Sequence, residues 1–391
     1  MPTALEELLT ERIHREGAIP FDSFVDLALY ADDGFFGRGR GAGRAGRDFV
    51  TSPEVGQLYG ALVARAVDGW WDDLDCPDPF LVIDAGAGRG RLAADLLAAA
   101  PTCASAMRLV LVERSSALRE AQRELIDLEP IEDALGPATR AYDDDDVVHT
   151  PVAGMGPIAT SLAEFPAVRT TGVVFANELL DNLPFRVVER GTDGWLEVRV
   201  GHRDGEFVEV LVPAAPELSA EADVVACSAA SAEIAAIGTR LPVPSGAREW
   251  LHACAEALGH GVLAIVDYAA TAAELVARGQ QGWLRTYREH ERGSSPLVAP
   301  GEQDITIDLP IEYIVHAAMS AGFTLARDVS QAEWLQSLGI AALVAEAREG
   351  WQARAHIGDL EALRHRSRVS EAAALLDPAG LGAHRVLVFR M

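Results

Sequence analysis

Leu81-Val-Ile-Asp-Ala-Gly-Ala-Gly-Arg-Gly-Arg-Leu92 is the stretch that decides the fold. The apolar run from Phe80 to Ile83 reads as a buried strand. Glycines follow at alternate positions, Gly86, Gly88 and Gly90. Leu92 to Ala100 then carries apolar residues at helical spacing. Strand, glycine turn and helix together open a nucleotide-binding βαβ unit. Glycine lets the turn adopt positive φ and lets a ligand touch the backbone. The helix N-terminus offers unpaired N–H groups to an anion.

The spacing narrows the choice of ligand. A dinucleotide fingerprint is G-x-G-x-x-G. From Gly86 that pattern needs glycine at 91, where Arg91 stands. The pattern here is G-x-G-x-G, with Asp84 two residues before the first glycine. An acid there would repel a pyrophosphate. S-adenosylmethionine carries a cationic sulfonium and an ammonium and no phosphate, so the same acid helps it. Asp84, Gly86, Gly88 and Gly90 are therefore expected to bind S-adenosylmethionine. A second apolar strand, Met107 to Val112, ends at Glu113, and a helix follows from Ser115 or Ser116. An acid about 20 residues past the glycine turn suits a bidentate hydrogen bond to a ribose diol. Enzymes that bind nicotinamide dinucleotides use the same device, so Glu113 supports an adenosine ligand without choosing between the cofactors.

Composition bounds the rest. The chain has 391 residues, 49% of them hydrophobic, enough for one large elaborated domain or two. Apolar runs fall short of the ~18 residues of a membrane helix, so no membrane partner is expected. The acidic, amphipathic start Met-Pro-Thr-Ala-Leu-Glu-Glu-Leu-Leu is unlike a signal or transit peptide. Cysteines at 76, 103, 227 and 254 lack C-x-x-C spacing, which suggests neither a metal site nor a disulfide framework. A reduced, cytoplasmic protein is the expectation. A net charge of −26 argues against nucleic-acid binding, since phosphate contacts need a cationic surface. It admits a basic protein or peptide partner.

Taken in order, residues 3–16 read as a helix, and Pro20 to Tyr30 as a second with Asp22 or Ser23 as cap. Gly34 to Gly46 is rich in glycine and arginine and reads as a flexible loop near the site. Thr51 or Ser52 can cap a helix with Pro53 and Glu54 in its first turn, running to about Trp71. Asp143-Asp-Asp-Asp146 reads as a solvated loop. Gly172 to Asn177 is a buried strand ending in Asn177-Glu-Leu-Leu-Asp-Asn-Leu-Pro184. Ligands of open α/β sheets sit outside the carboxyl ends of the strands, which makes Asn177, Glu178 and Asp181 candidate site residues. Phe185 to Val212 alternates in three runs separated by Gly191-Thr-Asp-Gly194 and Asp204-Gly205, an antiparallel meander inserted into the parallel fold. A helix begins near Pro244, and Gly261 to Asp267 is a further strand ending in an acid. Residues 283–290 and 300–306 lack periodicity and read as a long irregular loop. A helix at 310–321, a strand from Thr324 to Val329, helices at 331–338 and 358–376 and a strand from Arg385 to Arg390 complete the chain.

Together these blocks resemble the MidA-like family of class I S-adenosylmethionine-dependent methyltransferases. The resemblance rests on Phe24 to Phe36, Asp48 to Val55, the glycine motif, Asn177 to Pro184, Leu284 to His290, Pro300 to Thr306 and Ser330 to Ile340. Thr51-Ser-Pro-Glu54 and Asn177-Glu-x-x-Asp181 are its most specific parts. It implies a Rossmann-like α/β fold with a seven-stranded sheet whose final pair is an antiparallel hairpin. An N-terminal helical segment at 1–75, a cofactor-binding core at 76–184 and 245–391, and an inserted region at 185–244 follow from it. It also adds Ser52, Glu54 and Asn177 to the expected cofactor residues. Departures are Asp84 and Arg91, where the family has Glu and Thr, and Ile307-Asp-Leu-Pro310 in place of a His-Val-Asp-Phe-like run.

The family includes an arginine methyltransferase, so methylation of a protein arginine is the leading expectation. Carboxylates would pair with the guanidinium, and Glu178 and Asp181 are the candidates. A small-molecule or peptide acceptor, or a non-catalytic assembly protein retaining the fold, are the alternatives. Oligomeric state is left open.

Overall fold

The computed structural model describes residues 2–40, 51–136, 153–227, 236–288, 291–293 and 295–391. Its largest sheet is built from β1 (Phe80–Ala85), β2 (Met107–Val112), β3 (Ile158–Leu162), β4 (Thr170–Asn177), β5 (Leu258–Asp267), β6 (Thr324–Ser330) and β7 (Arg385–Arg390). Their order across the sheet is β6-β7-β5-β4-β1-β2-β3. The pairings from β5 to β3 are parallel, and β6 with β7 is antiparallel. Every residue of β1 and β2 is buried. Strands buried on both faces read as continuous apolar runs, which is why the sequence exposes them. β3 is Ile-Ala-Thr-Ser-Leu at the sheet edge, with only Ala159 and Thr160 buried, and the sequence reading passes over it.

The chain packs as two compact units. One comprises residues 50–177, 254–266 and 324–391 and holds the seven-stranded sheet. Its core gathers Leu58, Leu62 and Val67 of the helix Gln57–Asp73 with apolar residues of β1, β2 and β4. Trp334 is 2% exposed, stacks on Phe175 with centroids 6.1 Å apart, and meets Tyr59 edge-on at 6.5 Å. The single helix expected from Ser52 to Trp71 is two, Ser52–Val55 and Gln57–Asp73, parted at Gly56. The Glu371 carboxylate occupies the space a side chain at 56 would need. It accepts the Leu58 N–H at 3.0 Å, filling the role of a cap from far along the chain.

The other unit comprises residues 1–49, 178–253 and 267–323. The meander appears as Arg186–Arg190, Trp195–Arg203 and Glu206–Pro213, extended by Ile19–Pro20 and Arg240–Val243. Arg186 bridges Asp22 and Glu197, at 2.6 Å each. Asp22 therefore serves that ion pair, and neither it nor Ser23 caps the helix Phe21–Tyr30, whose N-cap is Pro20 with no side-chain bond. The irregular loop expected at 283–306 is instead a small antiparallel sheet of Leu284–Arg288, Glu291–Arg292 and Asp304–Ile307. Leu284 and Thr286 point inward on its central strand, and the buried threonine hides the alternation. The helix Ile340–Arg354 was also not expected, because only Ile340 and Ala347 along it are buried and no apolar stripe marks it. Residues 41–46 of the glycine- and arginine-rich tract and Asp143–Asp146 lie outside the described residues. Arg38 and Arg40, at the start of that tract, both bond Glu302.

Trp334→Ala should lower unfolding stability by about 3–5 kcal/mol, the range for truncating a buried large aromatic side chain. Urea denaturation followed by near-ultraviolet circular dichroism measures it, and a loss under about 1 kcal/mol would mean the indole does not carry this core.

Candidate functional site

The glycine turn leaves the end of β1 with Gly86, Gly88 and Gly90 all at positive φ, 70°, 52° and 80°. The N–H groups of Gly86 and Ala87 donate to Val112 O at the end of β2, 2.8 and 3.1 Å away. Gly88 N–H donates to Glu113 Oε2 at 2.9 Å, and Ser115 N–H donates to Glu113 Oε1 at 2.8 Å. Ser115 in turn caps the following helix Ser116–Gln122. Glu113 thus ties the turn after β1 to the start of the helix after β2. A Cβ added at Gly88 would meet no protein atom within 4 Å. The turn therefore presents bare backbone to open space at Gly88.

Asp84 is 6% exposed, and among the described residues its Oδ2 has no hydrogen-bond partner. Burial, with the nearby Glu113 charge, pushes its carboxyl up to about 7. A buried acceptor left unpaired, beside a carboxylate and at the end of β1, calls for a cationic or hydrogen-donating group. Asn177 ends β4, and its Oδ1 accepts the Tyr59 hydroxyl at 2.5 Å. Ser52 is fully buried and donates its hydroxyl to Gln331 Oε1 at 3.0 Å; Glu54 is half-buried in the same short helix. The structure thus assembles Asp84, Gly86, Gly88, Gly90 and Glu113 around one turn, while Ser52 packs against Gln331.

Glu178 follows Asn177 in the chain and opens the other unit. Its φ is 51°, a left-handed conformation held by a non-glycine residue, of the kind that clusters at functional positions. Asp267 is 1% exposed and organises the turn beyond it. Its Oδ2 accepts the N–H groups of Leu179, Leu180 and Asp181 at 3.2, 2.8 and 3.4 Å, and its Oδ1 accepts that of Tyr268 at 2.8 Å. Burial still pushes Asp267 up to about 7. Asp181 is 2% exposed, and its Oδ1 has no partner among the described residues. Burial raises its carboxyl well above the usual range, and the charges of Asp267, Asp304 and Glu178 add to the effect. Asn182 Nδ2 reaches Asp304 Oδ1 at 2.9 Å and Ile305 O at 3.1 Å. Asp267, Asp304 and Tyr268 adjoin this turn, and of the three only Asp267, at the end of a strand, gives a signal in the sequence.

A profile of the S-adenosyl-L-methionine-dependent methyltransferase family, MidA-like, matches residues 62–328. The chain belongs to this family. Among its relatives is the Drosophila melanogaster protein arginine methyltransferase NDUFAF7 homolog, mitochondrial, 25% identical over 337 residues, which cover 82% of this chain and 71% of that one. The Danio rerio protein arginine methyltransferase NDUFAF7, mitochondrial, is 26% identical over 322 residues, 76% of this chain and 67% of that one. A superfamily member from Burkholderia thailandensis, crystallised with S-adenosyl-homocysteine, superposes with a TM-score of 0.78 at 27% identity, covering 99% of this chain and 92% of that one. The protein is therefore a methyltransferase that uses S-adenosylmethionine.

The departure from the family's usual run at 307–310 has a structural account. Asp308 is 3% exposed and holds Arg285 at 2.5 Å and Arg278 at 2.7 Å. Arg285 also lies over the Tyr268 ring, 5.2 Å from its centroid. The acid at 308 is neutralised by two arginines.

Gly88→Val should leave a folded protein that no longer binds S-adenosylmethionine. A branched Cβ at φ 52° is strained and enters the free space beside the turn. Unchanged affinity by titration calorimetry would remove Gly88 from the site.

Asp84 also makes stability depend on pH. An unfolded aspartate titrates near 4, so between about 4 and about 7 the folded protein without cofactor holds a proton the unfolded chain lacks, and stability falls as pH rises. Asp84→Asn should therefore raise Tm at about pH 8 while leaving it little changed at about pH 4. Scanning calorimetry that finds the same Tm difference between the two pH values as in the wild type would show that Asp84 ionises without penalty.

Proposed function

We propose that this methyltransferase acts on an arginine side chain of a protein, with Glu178 and Asp181 receiving the guanidinium. One observation carries the proposal: Asp181 is buried among Asp267, Asp304 and Glu178 with an oxygen unpartnered among the described residues. Carboxylates crowded away from water strongly favour a cation among them. A guanidinium supplies a charge and a planar fork of donors that matches carboxylate geometry. The names of the relatives as protein arginine methyltransferases support the same acceptor. A chain of net charge −26 also suits a basic acceptor segment.

The division of labour follows from the donors present. Asp84 offers its unpaired oxygen to the positive end of the cofactor, Glu113 offers its carboxylate to ribose hydroxyls, and the backbone of Gly86, Gly88 and Gly90 leaves room for close approach. Asn177 lies at the end of β4, one residue from Glu178. When bound, S-adenosylmethionine supplies an electrophilic methyl on a cationic sulfur. On the acceptor side, Glu178 and Asp181 orient the guanidinium and hold its charge. Transfer would form a C–N bond to a guanidinium nitrogen as the C–S bond breaks, its electron pair staying on sulfur to leave S-adenosylhomocysteine, and one N–H proton would then have to leave the acceptor. A carboxylate whose affinity for protons is raised by burial and by neighbouring carboxylates, as at Asp181, is suited to take it.

Radiolabelled methyl transfer from S-adenosylmethionine into a cell extract should place the label in protein, and acid hydrolysis should recover it as methylarginine. Label confined to small molecules would overturn the acceptor. With that acceptor in hand, Glu178→Gln should reduce turnover by about two to three decades, since breaking a charge-assisted pair to a buried cation costs roughly 2–5 kcal/mol. Affinity for S-adenosylmethionine should stay near wild type in calorimetry. Near-normal turnover would sink the role of Glu178, and affinity falling in step with turnover would reassign it to the cofactor.

A further inference from the structure

The helix Ser116–Gln122 buries Leu118 and Gln122 on one face. Gln122 is fully buried, at a position where an apolar residue would complete the stripe. A buried amide is costly unless bonded, and this one is bonded at both ends. Its Nε2 donates to Gly88 O at 2.8 Å, and its Oε1 accepts the Ser161 hydroxyl at 2.5 Å. Ser161 lies on β3, and its donation decides which end of the amide faces the glycine turn. The stem of Gln122 also lies against Gly90, its Cγ 3.3 Å from where a Cβ of residue 90 would be.

The two polar groups of Gly88 belong to different peptide planes. Glu113 holds its N–H and Gln122 holds its C=O, so both torsions of the glycine are set from outside. Without the second hold, a residue with glycine's freedom would leave the turn able to reorient. We propose that Gln122 is a positioning residue for the cofactor, fixing the Gly88 backbone in the orientation that presents Glu113 and the turn to S-adenosylmethionine. This rests on reading Gly88 and Glu113 as cofactor contacts.

Titration calorimetry with S-adenosylmethionine on the full chain tests it. Gln122→Met keeps the volume and removes both hydrogen bonds, and it should raise Kd about tenfold or more with an unchanged number of sites per chain. A purely structural role would instead lower the number of sites, as part of the protein unfolds, and leave Kd alone. Gln122→Glu keeps an acceptor for Ser161 but sets an oxygen against Gly88 O, so it should weaken binding about as much as Gln122→Met. Ser161→Ala keeps the bond to Gly88 and loses only its orientation, for an expected rise of about threefold. Wild-type Kd in Gln122→Met, or a reduced number of sites at wild-type Kd, would overturn the proposal. Should Gln122→Met fail to fold, wild-type Kd in both Gln122→Glu and Ser161→Ala would overturn it equally. Glu113→Ala separates the two readings. Lost affinity there beside wild-type affinity in the Gln122 variants defeats the positioning role alone, whereas wild-type affinity in Glu113→Ala defeats the cofactor reading beneath it.

Discussion

Glu113 accepts the Gly88 N–H on one carboxylate oxygen and the Ser115 N–H on the other, and the glycine turn at the end of the sheet depends on that pair of bonds. They join the turn leaving β1 to the helix that follows β2, across two strands that already run parallel and in register. A neutral side chain would hold two N–H groups less firmly, because charge-assisted bonds are about twice as strong as neutral ones. The same charge has a second effect. It lies close enough to Asp84 to add to the burial that raises that carboxyl. Two buried acids at the ends of adjacent strands leave a negative field that neither relieves for the other. A cationic group bound beside them would relieve it.

The second unit uses carboxylates in contrasting states, and their partners tell them apart. Asp267 is saturated by backbone N–H groups and shapes the turn at 179–181. Asp308 is saturated by Arg278 and Arg285. Asp304 accepts from Asn182. Asp181 retains an oxygen without a partner among the described residues. Carboxylates spent on backbone or arginine fix the surrounding turns, and the one left over keeps an acceptor for a further donor. The residue type is the same in each case; the number of donors within reach decides the role.

Much of this was legible in the chain. β1 and β2 are continuous apolar runs because both faces are covered. The glycines mark a turn that only glycine fits cheaply, and the acids Asp84, Glu113 and Asp267 sit at strand ends where apolar periodicity stops. The meander shows because its strands alternate. β3 and the sheet at 284–307 do not show, because Thr160, Ser161 and Thr286 stand at positions where the pattern needs apolar residues.

What the sequence by itself determined is the type and order of the elements around the glycine turn, together with the cofactor class that Asp84 and the G-x-G-x-G spacing select. These are local properties, set by neighbours within a few residues. Only the tertiary structure decided which polar side chains are used up and which are free to act. Gln122 looks like an ordinary polar residue near a helix end until Gly88 and Ser161 are brought to either side of it. Ser52 looks like a helix cap until its hydroxyl is found on Gln331. Asp181 and Asp267 cannot be told apart by spacing. Hydrogen-bond saturation and burial depend on residues scores of positions away, and the chain carries no local trace of them.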